Sequence, residues 1–153
     1  MLVGLVAACG WKPPGMSSQK LDTCSNANGP TPDTVARAIA ALPVATPLSR
    51  WTEAARGHTH NCRLYWVQVK PSNATPSSAG QLLFFDRNTP LGTPTPNPKP
   101  YTTVFSTTDD TVRVQYQWQV AGDSQCCPTG IGTVQYQIGP DGKLQARGPI
   151  PNQ

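Results

Sequence analysis

Residues 111 to 120, TVRVQYQWQV, alternate without a fault. Val112, Val114, Tyr116, Trp118 and Val120 fall on one side, and Arg113, Gln115, Gln117 and Gln119 on the other. Period-two alternation marks a strand with one dry and one wet face, the pattern of an antiparallel sheet. Residues 132 to 139, GTVQYQIG, repeat it, with Val134, Tyr136 and Ile138 inward and Gln135 and Gln137 outward. The intervening AGDSQCCPTG is the connecting loop of a hairpin, and GPDGKL turns the chain into a last strand near Leu144. Earlier strands are expected at CRLYWVQV (62–69), QLLFFD (81–86) and YTTVFS (101–106).

One segment carries the helical period instead. Val35, Ala38, Ile39 and Leu42 recur at spacings of three and four, giving one apolar stripe. Thr31 suits the N-cap, Pro32 the first helical position and Asp33 the positive end of the helix dipole, while Pro43 stops the run. The expected fold class is therefore α+β: a mostly antiparallel sheet of about six strands with one N-terminal helix packed on its apolar face.

Between the strands at 81–86 and 101–106 lies RNTPLGTPTPNPKPY, with prolines at 90, 94, 96, 98 and 100. Proline at nearly every second position favours an extended, polyproline-like path and denies ladder donors. The segment reads as a binding loop or, more plainly, as a stiff connector guarding a sheet edge.

The N-terminus adds a location. Val6-Ala7-Ala8-Cys9 is a lipobox, with a short apolar run before it serving as the core of a secretory signal. The Cys9 thiol would take a diacylglyceryl group, with acyl chains of the palmitate class, and become the first residue of the mature chain. Two or more acyl chains hold a protein at a bilayer where one does not. No Lys or Arg precedes the apolar run, and the simplest explanation is a start codon placed too far downstream. The organisation expected is a signal remnant at 1–8, a lipidated tether at 9–30 and a single domain at 31–153, anchored at the plasma membrane and facing outward. A bond from Cys24 into the domain would shorten the free tether.

Composition agrees with an exported domain. Seventeen prolines and 13 glycines in 153 residues mean many turns and few long helices, and no later stretch approaches the length of a membrane-spanning helix. Twelve Lys and Arg against eight Asp and Glu are spread without clusters, so no nucleic-acid footprint is visible. With Cys9 assigned to lipid, Cys24, Cys62, Cys126 and Cys127 remain, an even number that suggests two disulfides in an oxidising compartment. A bond between the neighbours Cys126 and Cys127 would close a strained ring, so Cys24 and Cys62 are each expected to take one of the adjacent pair, in an order the sequence leaves open.

Taken in order behind the lipobox, DTVARAIAALP, CRLYWVQV, QLLFFDRNTPLGTPTPNPKPY, DDTVRVQYQWQV and CCPTGIGTVQYQI resemble the mycobacterial LppP/LprE lipoprotein family over nearly all of residues 24 to 151. The blocks FFDRNTPLGT and CCPTGIGTV carry most of the resemblance. It implies an actinobacterial envelope lipoprotein anchored at the plasma membrane, and it brings no catalytic residues to carry over.

Candidate chemistry is sparse. In RGHTHNC, His58 and His60 are the only histidines and Cys62 follows at the same alternation, so on a strand all three would share one face and could hold zinc or copper. No G-x-S-x-G occurs, and the acidic residues available for paired-carboxylate chemistry are Glu53 and seven aspartates, of which Asp109 and Asp110 fit a turn. The outward row of Arg113, Gln115, Gln117, Gln119, Thr133, Gln135 and Gln137 could bind glycan hydroxyls or a partner protein, or merely solvate an open sheet. The reading is a non-enzymatic envelope lipoprotein with a binding or structural role and no cofactor, its partners being the membrane through a lipid anchor and an envelope glycan or protein. The alternative is a small metal-binding lipoprotein using His58 and His60.

Overall fold

The computed structural model of the chain describes residues 22–45 and 47–150. The signal remnant, Cys9 and the first part of the expected tether lie outside the described residues. Two four-stranded antiparallel sheets are stacked. The first contains, in order, β1 (Trp51–His58), β2 (Leu64–Pro71), β3 (Gln81–Asp86) and β4 (Thr89–Gly92); the second contains β5 (Thr103–Thr107), β6 (Val112–Trp118), β7 (Gly130–Ile138) and β8 (Leu144–Arg147). Among the described residues a single α-helix, α1 (Pro32–Ala40), lies on the outer face of the first sheet.

Two apolar layers follow. Between the sheets, Leu64, Leu82 and Phe84 meet Val112, Val114, Tyr116, Val134 and Tyr136, all buried. On the opposite face of the first sheet, Tyr65, Val67, Val69, Leu83 and Phe85 meet Val35 of α1, with Ala38, Ile39 and Leu42 packed alongside. A sheet buried on both faces needs apolar side chains at consecutive positions, and β3 supplies them as Leu82-Leu83-Phe84-Phe85. The second sheet has only one buried face, and its strands alternate accordingly.

The helix forms where its sequence places it. Thr31 accepts the amide of Thr34 on its hydroxyl at 3.2 Å, Pro32 opens the first turn, and Asp33 pairs with Arg37 one turn on. The helix ends at Ala40, and Pro43 accepts the Trp51 indole N–H on its carbonyl at 2.6 Å, tying the chain after the helix to β1.

Eight strands in two sheets replace the expected six in one. The additional ones are β1 and β4, the two edges of the first sheet. An edge strand has a ladder on one side only and need not bury either face, so WTEAARGH shows no alternation; five of its residues in a row are exposed, and a bulge between Glu53 and Ala55 interrupts its register with β2. β4 follows a tight turn through Arg87, whose φ is 54°, and places Pro90 opposite Phe85 on the sheet edge, where a missing donor costs nothing. The proline-rich segment thus begins as an edge strand. Its continuation is pinned by buried Gln81, whose side-chain amide donates to the Thr95 carbonyl at 3.1 Å.

Candidate functional site

Three places in the fold carry the residues singled out above. The first is the corner where the chain enters the domain. Residues 22–30 run along the first sheet, with Gly29 so close to the Tyr65 ring that a Cβ there would lie 2.6 Å from it. Cys24 is bonded to Cys62, with Cα atoms 5.5 Å apart. Cys126 is bonded to its neighbour Cys127.

This pairing overturns the expected cross-pairing, and the geometry gives the reason. The turn after β1 meets the turn between β5 and β6, just before β6 begins: the amides of His60 and Asn61 donate to the carbonyls of Thr108 and Asp109. Cys126 and Cys127 lie in the loop after the far end of β6, and seven residues of strand at about 3.3 Å each put roughly 20 Å between the two ends. Among the described cysteines, the adjacent pair have only each other within reach.

The expectation that His58, His60 and Cys62 share one strand face also fails. β1 ends at His58, and a turn closed by the Cys62 amide on the Thr59 carbonyl takes Cys62 to a φ of 57°. His60 instead sets Nδ1 3.5 Å from Asp109 Oδ1. His58 lies against the entering segment, with Nε2 2.9 Å from Asp22 Oδ2 and Nδ1 2.8 Å from the Thr59 carbonyl oxygen. The Asp22 carboxyl is held below the usual carboxylate range, first by the Cys24 amide that donates to Oδ1 and then by His58. These groups line a cleft of about 820 Å³ together with Arg56 and Tyr65. The Tyr65 hydroxyl, buried, has no hydrogen-bond partner among the described residues.

The second place is the outer face of the β5–β8 sheet, which no described element covers. Arg113, Gln115 and Gln117 stand on β6 beside Gln135 and Gln137 on β7, with Arg113 opposite Gln135 and Gln115 opposite Thr133. All five are half-buried rather than fully open. Gln119 does not join them: it lies past the end of β6 and donates its amide to the Ser124 carbonyl within the loop. Gln137, with its amide oxygen turned to Arg147 on β8, accepts from Nε and Nη2 at 3.2 and 3.0 Å. Two apolar side chains that the alternation did not single out, Phe105 and Ile131, are each 59% exposed on the same sheet. Ile131 was detectable two positions before Thr133, on the outward side of the same alternation; Phe105 sits at a bulge between Val104 and Ser106, which strand periodicity alone does not reveal.

The third place adjoins the second. At the end of β6, a cleft of about 600 Å³ is lined by Lys99, Tyr101, Gln117, Trp118 and Gln125 among others. Tyr101 holds a φ of 53° and donates its hydroxyl to the Gln125 carbonyl at 2.8 Å, joining the proline-rich segment to the cysteine loop. Trp118 lies over Gly130, where a Cβ would come within 2.4 Å of the indole nitrogen.

The acidic residues do not converge. Glu53 is paired with Arg56, Asp86 with Arg63 at 3.1 Å, and Asp123 accepts from the amides of Val120 and Thr129 inside its own loop.

Comparison with known proteins adds a family. Residues 56–141 match the model of the LppP/LprE lipoproteins. The chain is similar to the LppP lipoproteins of Mycobacterium bovis and of two Mycobacterium tuberculosis strains, CDC 1551 and H37Rv, with 60% identity over 153 residues covering 99% of this chain and 87% of each relative. No solved structure matches the chain. Among the described residues no helix is long and apolar enough to cross a membrane.

Proposed function

Because the chain belongs to the LppP/LprE lipoprotein family, and so to the membrane-associated proteins of the cell envelope, we propose that it is held at the plasma membrane by lipid on Cys9, faces outward, and binds an envelope glycan without catalysing a reaction. The observation that carries the binding role is the bare outer face of the second sheet. The first sheet has both faces occupied, whereas this one leaves the amides of Gln115, Gln117 and Gln135 on rigid strands, and Gln117 also lines the cleft at Trp118 and Tyr101. Amides that both donate and accept match sugar hydroxyls, and aromatic surfaces offer an apolar wall for a sugar ring. A non-enzymatic role is supported by the state of the carboxylates: Glu53 and Asp86 are engaged by arginines and Asp123 by loop amides, and among the described residues Asp22 stands in the first cleft without a second carboxylate beside it.

The test uses the lipidated chain in detergent and cell-wall polysaccharide prepared from a mycobacterial host. Co-sedimentation should be saturable, and the combined change of Gln115, Gln117 and Gln135 to Ala should weaken it at least about tenfold, the loss of roughly 1.4 kcal/mol expected when two or three net hydrogen bonds are removed. The thermal midpoint should stay within a few degrees of the parent. Equal sedimentation of parent and variant would refute the glycan-binding face, and capture of an envelope protein lost in the same variant would transfer the face to a protein partner.

A further inference from the structure

The entry corner holds a second chemistry that neither the sheet face nor the lipid anchor uses. Asp22 and Cys24, two residues apart on the entering segment, converge with His58 at the end of β1: their ligand atoms, a carboxylate oxygen, a sulfur and an imidazole nitrogen, all lie within 4.8 Å of one another. The fourth group is Cys62, whose sulfur is bonded to that of Cys24. We propose that in the dithiol form of the chain Asp22, Cys24, His58 and Cys62 make a four-ligand zinc site, which formation of the Cys24–Cys62 disulfide empties.

The distances fit. A tetrahedral zinc with bonds of about 2.3 Å to sulfur and about 2.0 to 2.1 Å to nitrogen and oxygen needs ligand atoms about 3.8 Å apart for two sulfurs, about 3.6 Å for sulfur and nitrogen, and about 3.3 Å for nitrogen and oxygen. His58 Nε2 and Asp22 Oδ2 are 2.9 Å apart, so that pair has only to open by a few tenths of an ångström. The proposal requires the Cys62 sulfur, now bonded to that of Cys24, to swing toward Asp22 and His58 when the bond is broken.

The supporting shell is already in place. An imidazole that binds zinc through one nitrogen gives the other to an acceptor, which fixes the tautomer and the ring plane. His58 Nδ1 lies 2.8 Å from the Thr59 carbonyl oxygen and turns Nε2 toward Asp22 and Cys24. On Asp22, Oδ1 accepts the Cys24 amide at 2.9 Å and leaves Oδ2 facing His58. The Cys24 sulfur rests 3.9 Å from the His60 carbonyl oxygen, while the His60 ring turns to Asp109 and takes no part. The set is the mixed sulfur, nitrogen and oxygen donor type that suits zinc.

Every copy is synthesised with thiols, so the dithiol form precedes the disulfide and needs no reductant. Zinc binding releases one proton from each thiol. A disulfide of the glutathione class then closes the site: the zinc dithiolate, one oxidised glutathione and two protons give the Cys24–Cys62 bond, two reduced glutathiones and free Zn²⁺. The two cysteine sulfurs are oxidised, the two glutathione sulfurs are reduced, and metal and disulfide exclude one another.

The test is independent of lipidation. The full chain carries Cys9→Ser, Cys126→Ser and Cys127→Ser, so that Cys24 and Cys62 are its only thiols. It is reduced with dithiothreitol, freed of reductant under argon and titrated with Co²⁺, a coloured stand-in for zinc, with far-ultraviolet circular dichroism recorded in parallel. The expected result is one Co²⁺ per chain with tetrahedral ligand-field bands and thiolate-to-cobalt charge transfer, unchanged in His60→Gln and weakened at least about tenfold in His58→Gln and in Asp22→Asn. The oxidised chain should show none of these bands, and Zn²⁺ should slow oxidation of the dithiol by oxidised glutathione. Binding of equal strength in His58→Gln, Asp22→Asn and the parent would mean two thiolates alone, and would overturn the proposal. So would a reduced parent that keeps its strand signal and takes up no cobalt, or one that has lost the strand signal and binds cobalt without regard to Asp22 and His58.

Discussion

Tyr116 and Tyr136 show how a single residue pair shapes the core. Tyr116 stands opposite Gly132 and Tyr136 opposite Val112, yet their side chains bring the hydroxyl oxygens to 2.8 Å in the layer between the sheets. Burial raises the ionisation of both phenols above the ordinary tyrosine range. Removing one hydroxyl leaves the other buried without a partner, at about 1 to 3 kcal/mol, whereas removing both leaves nothing unsatisfied. Tyr116→Phe and Tyr136→Phe should therefore each lower stability in urea by that amount, and the double variant should fall no further than the worse single one. Additive losses would show that each hydroxyl has another partner. Because the raised phenols favour the protonated form, their contribution is complete below about pH 10, the unfolded tyrosine value, and is lost as pH rises above it. At this scale the sequence was informative wherever a residue acts on its own neighbours: Thr31, Pro32 and Asp33 do what their types dictate. It was uninformative about the cysteines, because their pairing depends on which end of a seven-residue strand each one occupies.

Strands in the middle of the sheets were readable, as were the edges β5 and β8 of the second sheet, but the edges of the first sheet were not. β2, β3, β6 and β7 must bury side chains, and the burial is written as runs or alternations of apolar residues. β1 and β4 bury little and carry Glu53, Arg56 and Pro90 instead, residues that discourage further pairing. The candidate face followed the same logic: the glutamines of β6 and β7 were visible through the alternation, while the covering role of the neighbouring strands was not. The loop joining β6 to β7 is organised by Asp123, which accepts the amides of Val120 and Thr129 at 2.8 Å and whose carboxyl is held below its ordinary value chiefly by those two bonds. A lowered carboxylate contributes above its unfolded value and loses that contribution as pH falls through the folded one. The amides of Val120 and Thr129 should thus show intrinsic-rate-corrected protection near neutrality that fades below about pH 4, while protection of Val114 and Val134 persists. Equal protection at both pH values would remove Asp123 from the organisation of the loop. The same hairpin predicts a packing effect: Gly130→Ala drives a methyl into the Trp118 ring and should cost about 1 to 3 kcal/mol, read as a fall in the urea midpoint.

On the scale of the whole molecule, three layers are held by two apolar interfaces, and the entering chain is stapled to the turn after β1. The Cys24–Cys62 bond spans 38 residues, and closing a loop of that length removes about 4 kcal/mol of unfolded-state entropy. The bond between Cys126 and Cys127 closes no loop to speak of. Replacing Cys24 and Cys62 with Ser should therefore lower the thermal midpoint by many degrees, and replacing Cys126 and Cys127 should barely move it; the reverse order would contradict the staple. A domain tied down so close to its entry segment suits a protein held near a bilayer, and the central claim is that Cys9 carries the anchor. The most direct measurement is the intact mass of the protein taken from a mycobacterial membrane fraction, with and without reduction. The account predicts a chain beginning at Cys9, bearing a diacylglyceryl group, that gains two hydrogens per disulfide on reduction. An unmodified chain beginning at Met1, in the soluble fraction and with free thiols, would contradict it.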